Sequence, residues 1–177
     1  MTAGLQPMGL LENLRGSYDV FIAAQFGTQF SSANGAAIDY AGTVPLQGTE
    51  LAALKEWIEP SLLGPARPDP GVGRYGATAG DWLQRLVVIL QVNIFSRPRR
   101  QSSARRLQQL RDLVVSKMYP GMTVPVIDLA GASAALGAMV LRRVSMDQAV
   151  GLGEAYEDLE QWTYSVDAAW TEHVRLS

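Results

Sequence analysis

Apolar positions along this chain follow two periods, one helical and one of strict alternation. Leu10, Leu11 and Leu14 predict a short helical turn stopped at Gly16, after which Ser17 is placed to cap a longer helix. In that helix Tyr18, Phe21, Ile22, Phe26 and Phe30 recur at three- and four-residue spacings and share one face. Ser31 to Gly35 carries turn chemistry and ends it. Ala37 to Leu46 reads as a weak strand, whereas Leu51 to Ile58 fits either a helix or a strand edge before Pro60. From Pro60 to Gly80 prolines and glycines are too dense for a helix or a sheet interior, which predicts a long exposed loop.

The clearest strand is Leu83 to Phe95, in which Leu86, Val88, Leu90, Val92 and Ile94 alternate onto one face. Pro98 breaks it, and Ser102 or Ser103 is placed to cap a helix running to Met118. That helix carries an apolar arc of Ala104, Leu107, Leu110, Val114, Val115 and Met118. Arg111 falls inside the arc, so its stem lies on the core with the guanidinium reaching out, or it meets an acidic partner. Thr123 to Ala130 and Leu136 to Met146 predict short strands joined by a turn at Gly131 to Ala135. In the last element Trp162, Tyr164, Val166, Ala168 and Trp170 alternate with more polar positions, predicting a strand buried on one face. This order predicts one α+β domain over residues 1–177, with a mostly antiparallel mixed sheet and two main helices packed on one face.

Composition narrows the chemistry. At 177 residues the chain is long enough for one domain with a real core. Charged residues make up 18%, below the usual figure of about 25%, which leaves a comparatively neutral surface and leans towards an assembly component. The abundance of Ala and Gly offers a second account of that figure. There is no cysteine, which excludes disulfides, thiolate nucleophiles and Cys-ligated zinc. The N-terminus has no signal-peptide pattern, and the longest apolar run, Leu86 to Leu90, is far shorter than the ~20 residues of a membrane span, so an aqueous location is expected.

Candidate catalytic and ligand-binding patterns are sparse. His173 is the one histidine, on the polar side of the last strand, and reads as an ordinary surface residue. Gly71, Gly73, Gly76 and Gly80 lack the Lys-Ser/Thr and following helix of a phosphate loop. The acids Glu154, Glu157, Asp158 and Glu160 do not match the spacing of a calcium-binding loop. No catalytic, cofactor or metal residues are therefore assigned, and a non-enzymatic role is expected.

Charge is segregated along the chain. Six arginines lie between Arg97 and Arg111 without an intervening acid, and seven acids lie between Asp147 and Glu172 without a base. Arg97, Arg99, Arg100, Arg105 and Arg106 sit at a strand-to-helix junction, where basic side chains oppose the helix dipole. They can be solvated, contact nucleic-acid phosphates, or pair with acids of a neighbouring subunit. The third reading makes these arginines, with Glu154, Glu157, Asp158 and Glu160, candidates for a subunit interface.

Trp-Ile-Glu-Pro at Trp57 to Pro60 leads into the Pro-rich segment, and Val-Asn-Ile-Phe at Val92 to Phe95 runs into the amphipathic helix. With the N-terminal helix before them and a Trp-initiated strand closing the chain, this order resembles the tail terminator (tail completion) proteins of long-tailed bacteriophages. The resemblance implies a mixed sheet flanked by helices and subunits closing into a ring, usually of six. Such a ring caps the tail tube, stops its polymerisation and joins it to the head or neck. The implied partners are further copies of the chain, the tail tube protein and a head or neck connector protein, with DNA at most passing through the lumen and no membrane. The implied location is the tail–neck junction of the virion, reached from the host cytoplasm during assembly. Another head–tail connector component and an unrelated small-molecule-binding α+β domain are the alternatives.

Overall fold

The computed structural model describes residues 7–40, 48–64, 68–74, 81–97, 105–129, 135–151 and 158–175. In chain order these form α1 (Pro7–Phe26), a 3-10 turn at Ser32–Asn34, β1 (Ala36–Ile38), α2 (Gly48–Ala53), β2 (Glu56–Leu63), β3 (Pro68–Arg74) and β4 (Asp81–Ser96). They continue with α3 (Arg106–Lys117), β5 (Thr123–Ile127), β6 (Ala135–Val150) and β7 (Glu160–Arg175). The fold is α+β: one mixed sheet runs β1-β2-β4-β7-β6-β5, with β3 also paired to β4, and every pairing except β1 with β2 is antiparallel.

The core lies on one face of this sheet. Val88, Leu90, Val92 and Ile94 of β4 and Tyr164, Val166, Ala168 and Trp170 of β7 are buried there, with Val124, Val126, Met139 and Leu141 from the neighbouring strands. Against them pack Leu14, Tyr18, Ile22 and Phe26 of α1 and Leu107, Leu110 and Val114 of α3. Two hydroxyls anchor the layers: Tyr18 Oη donates to the Gln91 carbonyl at 3.1 Å, and Tyr164 Oη to the Met118 carbonyl at 2.7 Å. Each satisfies a polar atom that burial would otherwise strand.

Several sequence expectations change. The N-terminal helix is continuous: Gly16 does not stop it, and Ser17 sits inside it instead of capping a second helix. The reason is tertiary. A Cβ on Gly16 would overlap the end of the Leu129 side chain, so glycine here lets that side chain lie against the helix. The ambiguous stretch 51–58 is both things in turn, since α2 ends at Ala53 and β2 begins at Glu56.

The segment expected as a loop from Pro60 to Gly80 is largely sheet. β2 runs through Pro60 to Leu63, and β3 continues along the same edge of β4; residues 65–67 and 75–80 lie outside the described set. The prolines occupy the few places a sheet tolerates them. Asp39 N–H donates to the Ile58 carbonyl at 2.8 Å, so Ile58 faces away from β4, and by alternation so does Pro60 two residues on. Its missing donor costs no ladder bond. Pro68 is the first residue of β3, and Pro70 falls in the register shift between Asp69 and Gly73.

The second helix starts at Arg106, not Ser102, and Arg105 occupies its N-cap without a side-chain cap bond. Ser102 and Ser103, the expected caps, and most of the expected turn at Gly131 to Ala135 lie outside the described residues. The Leu136 to Met146 strand is longer than expected, spanning Ala135 to Val150 with two register shifts against β7. β7 is buried on both faces, not one. Thr163, Ser165 and Ala169 on its outer side are small and sit between longer neighbours on β4 and β6, such as Asn93, Gln91 and Met146.

Candidate interface

Among the described residues, the arginine-rich and acidic stretches meet at Arg97–Asp158 and at Arg111–Asp147. Arg97 follows the end of β4, where its Nη1 lies 2.8 Å from Asp158 Oδ2. Its guanidinium also stands over the Trp57 ring, 5.6 Å from the centroid. Trp57 is the cross-strand neighbour of Phe95, and the two rings stack with centroids 4.7 Å apart. Trp57 Nε1 donates to Glu59 at 3.0 Å. Burial pushes the Glu59 carboxyl above its ordinary range; the Trp57 bond pulls the other way, and Asp39 adds to the rise.

Arg106 is also committed. Its Nε and Nη2 donate to the two oxygens of Glu56 at 2.8 and 2.7 Å, a bidentate pair joining α3 to β2. Glu56 is only 3% exposed and takes a further bond from Gln29. Nothing in the sequence marked Glu56 as a partner, because it lies 50 residues away in an ambiguous segment.

Of the remaining candidates, Arg105 and Glu160 are exposed, while Arg99, Arg100, Glu154 and Glu157 lie outside the described residues. The structure thus brings together Arg97 and Asp158 from the expected set, and gives Arg106 a partner beyond it.

Arg111, placed by periodicity inside an apolar arc, meets acids. It forms a bidentate pair with Asp147 of β6, bonds Asp112 at 2.7 Å, and stands 5.8 Å from the Trp162 ring centroid. Trp162 Nε1 donates to the same Asp147 carboxylate at 2.7 Å. The Arg111 bonds hold the Asp147 carboxyl below its ordinary range; burial opposes this, and the Trp162 bond reinforces it.

Among the described residues, the buried apolar side chains of α1 and α3 all lie in the core cluster and not on the opposite sheet face. An apolar band crosses it. Leu63 pairs with Ile89 between β2 and β4, and two residues away Val87, Ala169 and Val140 align across β4, β7 and β6. Leu63 is 44% and Val140 37% exposed. Beside the band Arg143 pairs with Asp167 at 2.6 Å, and Asn93 accepts from both Gln91 and Thr163.

Neither a known protein family nor any curated protein matches the sequence. The reading of this surface rests on its own geometry.

A concavity of about 340 Å³ lies between α1 and β5, lined by Val20, Phe21, Ala24, Met122, Pro125 and Ile127 among others. It is largely apolar, with Ser17, Gln25 and Thr123 as its polar members. Among the described residues, no cluster of three or more His, Asp or Glu could hold a metal ion, and no helix is long and apolar enough to cross a membrane.

Proposed function

We propose that the protein is a structural subunit that assembles with copies of itself into a ring, acting as a tail terminator of a long-tailed bacteriophage. The observation that carries the subunit reading is the apolar band on the sheet face opposite the core. Leu63, Val87, Ile89 and Val140 form a contiguous strip of the kind that marks a protein contact. The order of elements supports the family reading: a helix, the Trp57 to Pro60 strand, β4 ending in Val92 to Phe95 and leading to α3, and a closing strand that carries Trp162 and Trp170.

The electrostatic part of the proposal narrows. Arg97, Asp158 and Arg106 hold the subunit's own elements together. Charge contacts between subunits are assigned to Arg99, Arg100, Glu154 and Glu157. In a head-to-tail ring each subunit offers two different patches, and complementary charge sets their register more than their affinity.

Native mass spectrometry of the chain, alone and with a tail tube protein, tests the proposal. A closed ring is the expected species, and a monomer under both conditions refutes it. Reversing Arg99 and Arg100 to Glu weakens the ring, and reversing Glu154 and Glu157 to Lys in the same chain restores part of it. A ring indifferent to both changes removes the charge contacts and leaves the apolar band. The α1–β5 concavity favours a second reading, a domain that binds a small apolar molecule. That reading predicts a monomer whose melting temperature rises with an apolar ligand.

A further inference from the structure

A strand at the end of a sheet presents unpaired backbone donors and acceptors, a template on which another chain can build. β5 is such a strand, and its sequence, Thr-Val-Pro-Val-Ile, is uncharged and β-branched apart from the proline. β-propensity and lack of charge are two properties of segments that pair with copies of themselves, and the proline is the one residue here that opposes it. The orientation of its backbone is fixed by its neighbours. Leu141 N–H donates to the Met122 carbonyl at 2.8 Å, so Met122 and, by alternation, Val124 and Val126 face β6. Thr123, Pro125 and Ile127 face outward.

Two outward donors at the C-terminal end of β5 are met by α1. Ile127 N–H donates to Ser17 Oγ at 3.0 Å. Leu129 N–H, just beyond the strand, donates to Asn13 Oδ1 at 3.0 Å. Pro125 has no N–H to offer. Asn13 and Ser17 are four residues apart, one turn of α1, and both are buried although polar. Between them Gly16 lets the helix lie close to Leu129.

We propose that α1 is a guard on the C-terminal end of the β5 edge: Ser17 and Asn13 occupy the donors of Ile127 and Leu129, and their release lets an extended strand of a second copy add there. The guard does not depend on the ring reading, since it concerns an edge that the apolar band does not include. It accounts for three features together. Two polar residues of α1 are buried one helical turn apart, both bond the backbone at one strand end, and a proline lies at the centre of an edge strand.

The test uses the full chain with Asn13→Ala and Ser17→Ala combined, and separately Pro125→Val. Pro125 is exposed and makes neither cap bond, so its replacement restores an outward donor while both cap side chains stay in the sequence. Amide exchange reports the caps and sedimentation velocity reports assembly. In the double variant the Ile127 and Leu129 amides exchange roughly ten- to hundredfold faster, while Val88 to Ile94 are unchanged. Both variants form species larger than any the parent forms, growing with concentration. Faster exchange with a size distribution identical to the parent's overturns the guard, and so does unchanged exchange at Ile127 and Leu129. If the double variant fails to fold, Pro125→Val decides: association beyond the parent's supports the proposal, and none overturns it.

Discussion

Gly137 provides the sharpest check on the packing described above. It lies in β6 opposite Val126 with φ of 134°, a backbone conformation that residues with a side chain rarely adopt. A Cβ there would also sit 3.0 Å from both Cη2 and Cζ3 of Trp170, whose ring is 4% exposed and held in the core. Gly137→Ala therefore carries two separable penalties. The backbone strain is about 1–3 kcal/mol. The overlap adds about 1 kcal/mol, because a buried indole cannot move aside freely. The expected loss is about 2–4 kcal/mol, which for a chain of this size lowers the melting temperature by roughly 5–15 °C. Urea denaturation at fixed protein concentration measures it. A cycle with Trp170→Leu separates the parts: on that background Gly137→Ala keeps the strain and loses the overlap, giving a coupling of about 1 kcal/mol. A loss below about 0.5 kcal/mol in the parent background would refute the strained geometry, and zero coupling would refute the contact with Trp170.

Two further outcomes follow from the ion pairs. Arg106→Ala removes the bidentate partner of buried Glu56 and costs about 2–3 kcal/mol in denaturant unfolding, less than a fully buried pair because the guanidinium is 28% exposed. A loss near zero would show that the carboxylate finds water instead. Asp147 titrates lower in the folded chain than in the unfolded one, so its contribution is present above the unfolded value of about 3.9 and is lost as pH falls through the folded value. The stability difference between the parent and Asp147→Asn should therefore shrink as pH is lowered from about 5 to about 2; a difference constant with pH would contradict the pairing with Arg111.

Much of the sheet was legible in the chain because its strongest signals are local. β4 and β7 alternate over long stretches, and the core face of each matches the alternation at Val88 to Ile94 and Tyr164 to Trp170. The helical arc of α3 likewise places Leu107, Leu110 and Val114 inward. What escaped the sequence depends on neighbours distant along the chain. Gly16 and Ser17 are stop and cap residues by local chemistry, yet their roles are set by Leu129 and Ile127, more than a hundred residues away. Pro60 and Pro68 look like loop residues until the edge they line is known. Segregated charge was visible, but whether Arg97 meets Asp158 of the same chain or of another cannot be deduced from spacing. Glu56, the partner of Arg106, carried no signal at all.

The pairing of β4 with β7 also dictates an order of events at birth. Asp81 lies opposite Arg175 and Ser96 opposite Glu160, separations of 94 and 64 residues along the chain. Before β7 emerges, the ribosome has released two half-sheets. One is β1 to β4 and the other is the β5–β6 hairpin, and the two are joined in the finished sheet by no strand pairing other than those to β7. Each half can form from closer contacts, while closing the long loop waits for the last strand. At about 5–20 residues per second that interval lasts several seconds, with the inner edges of β4 and β6 both unpaired. β7 thus behaves as a keystone, and a chain stalled before Glu160 presents two sticky edges in place of one continuous sheet.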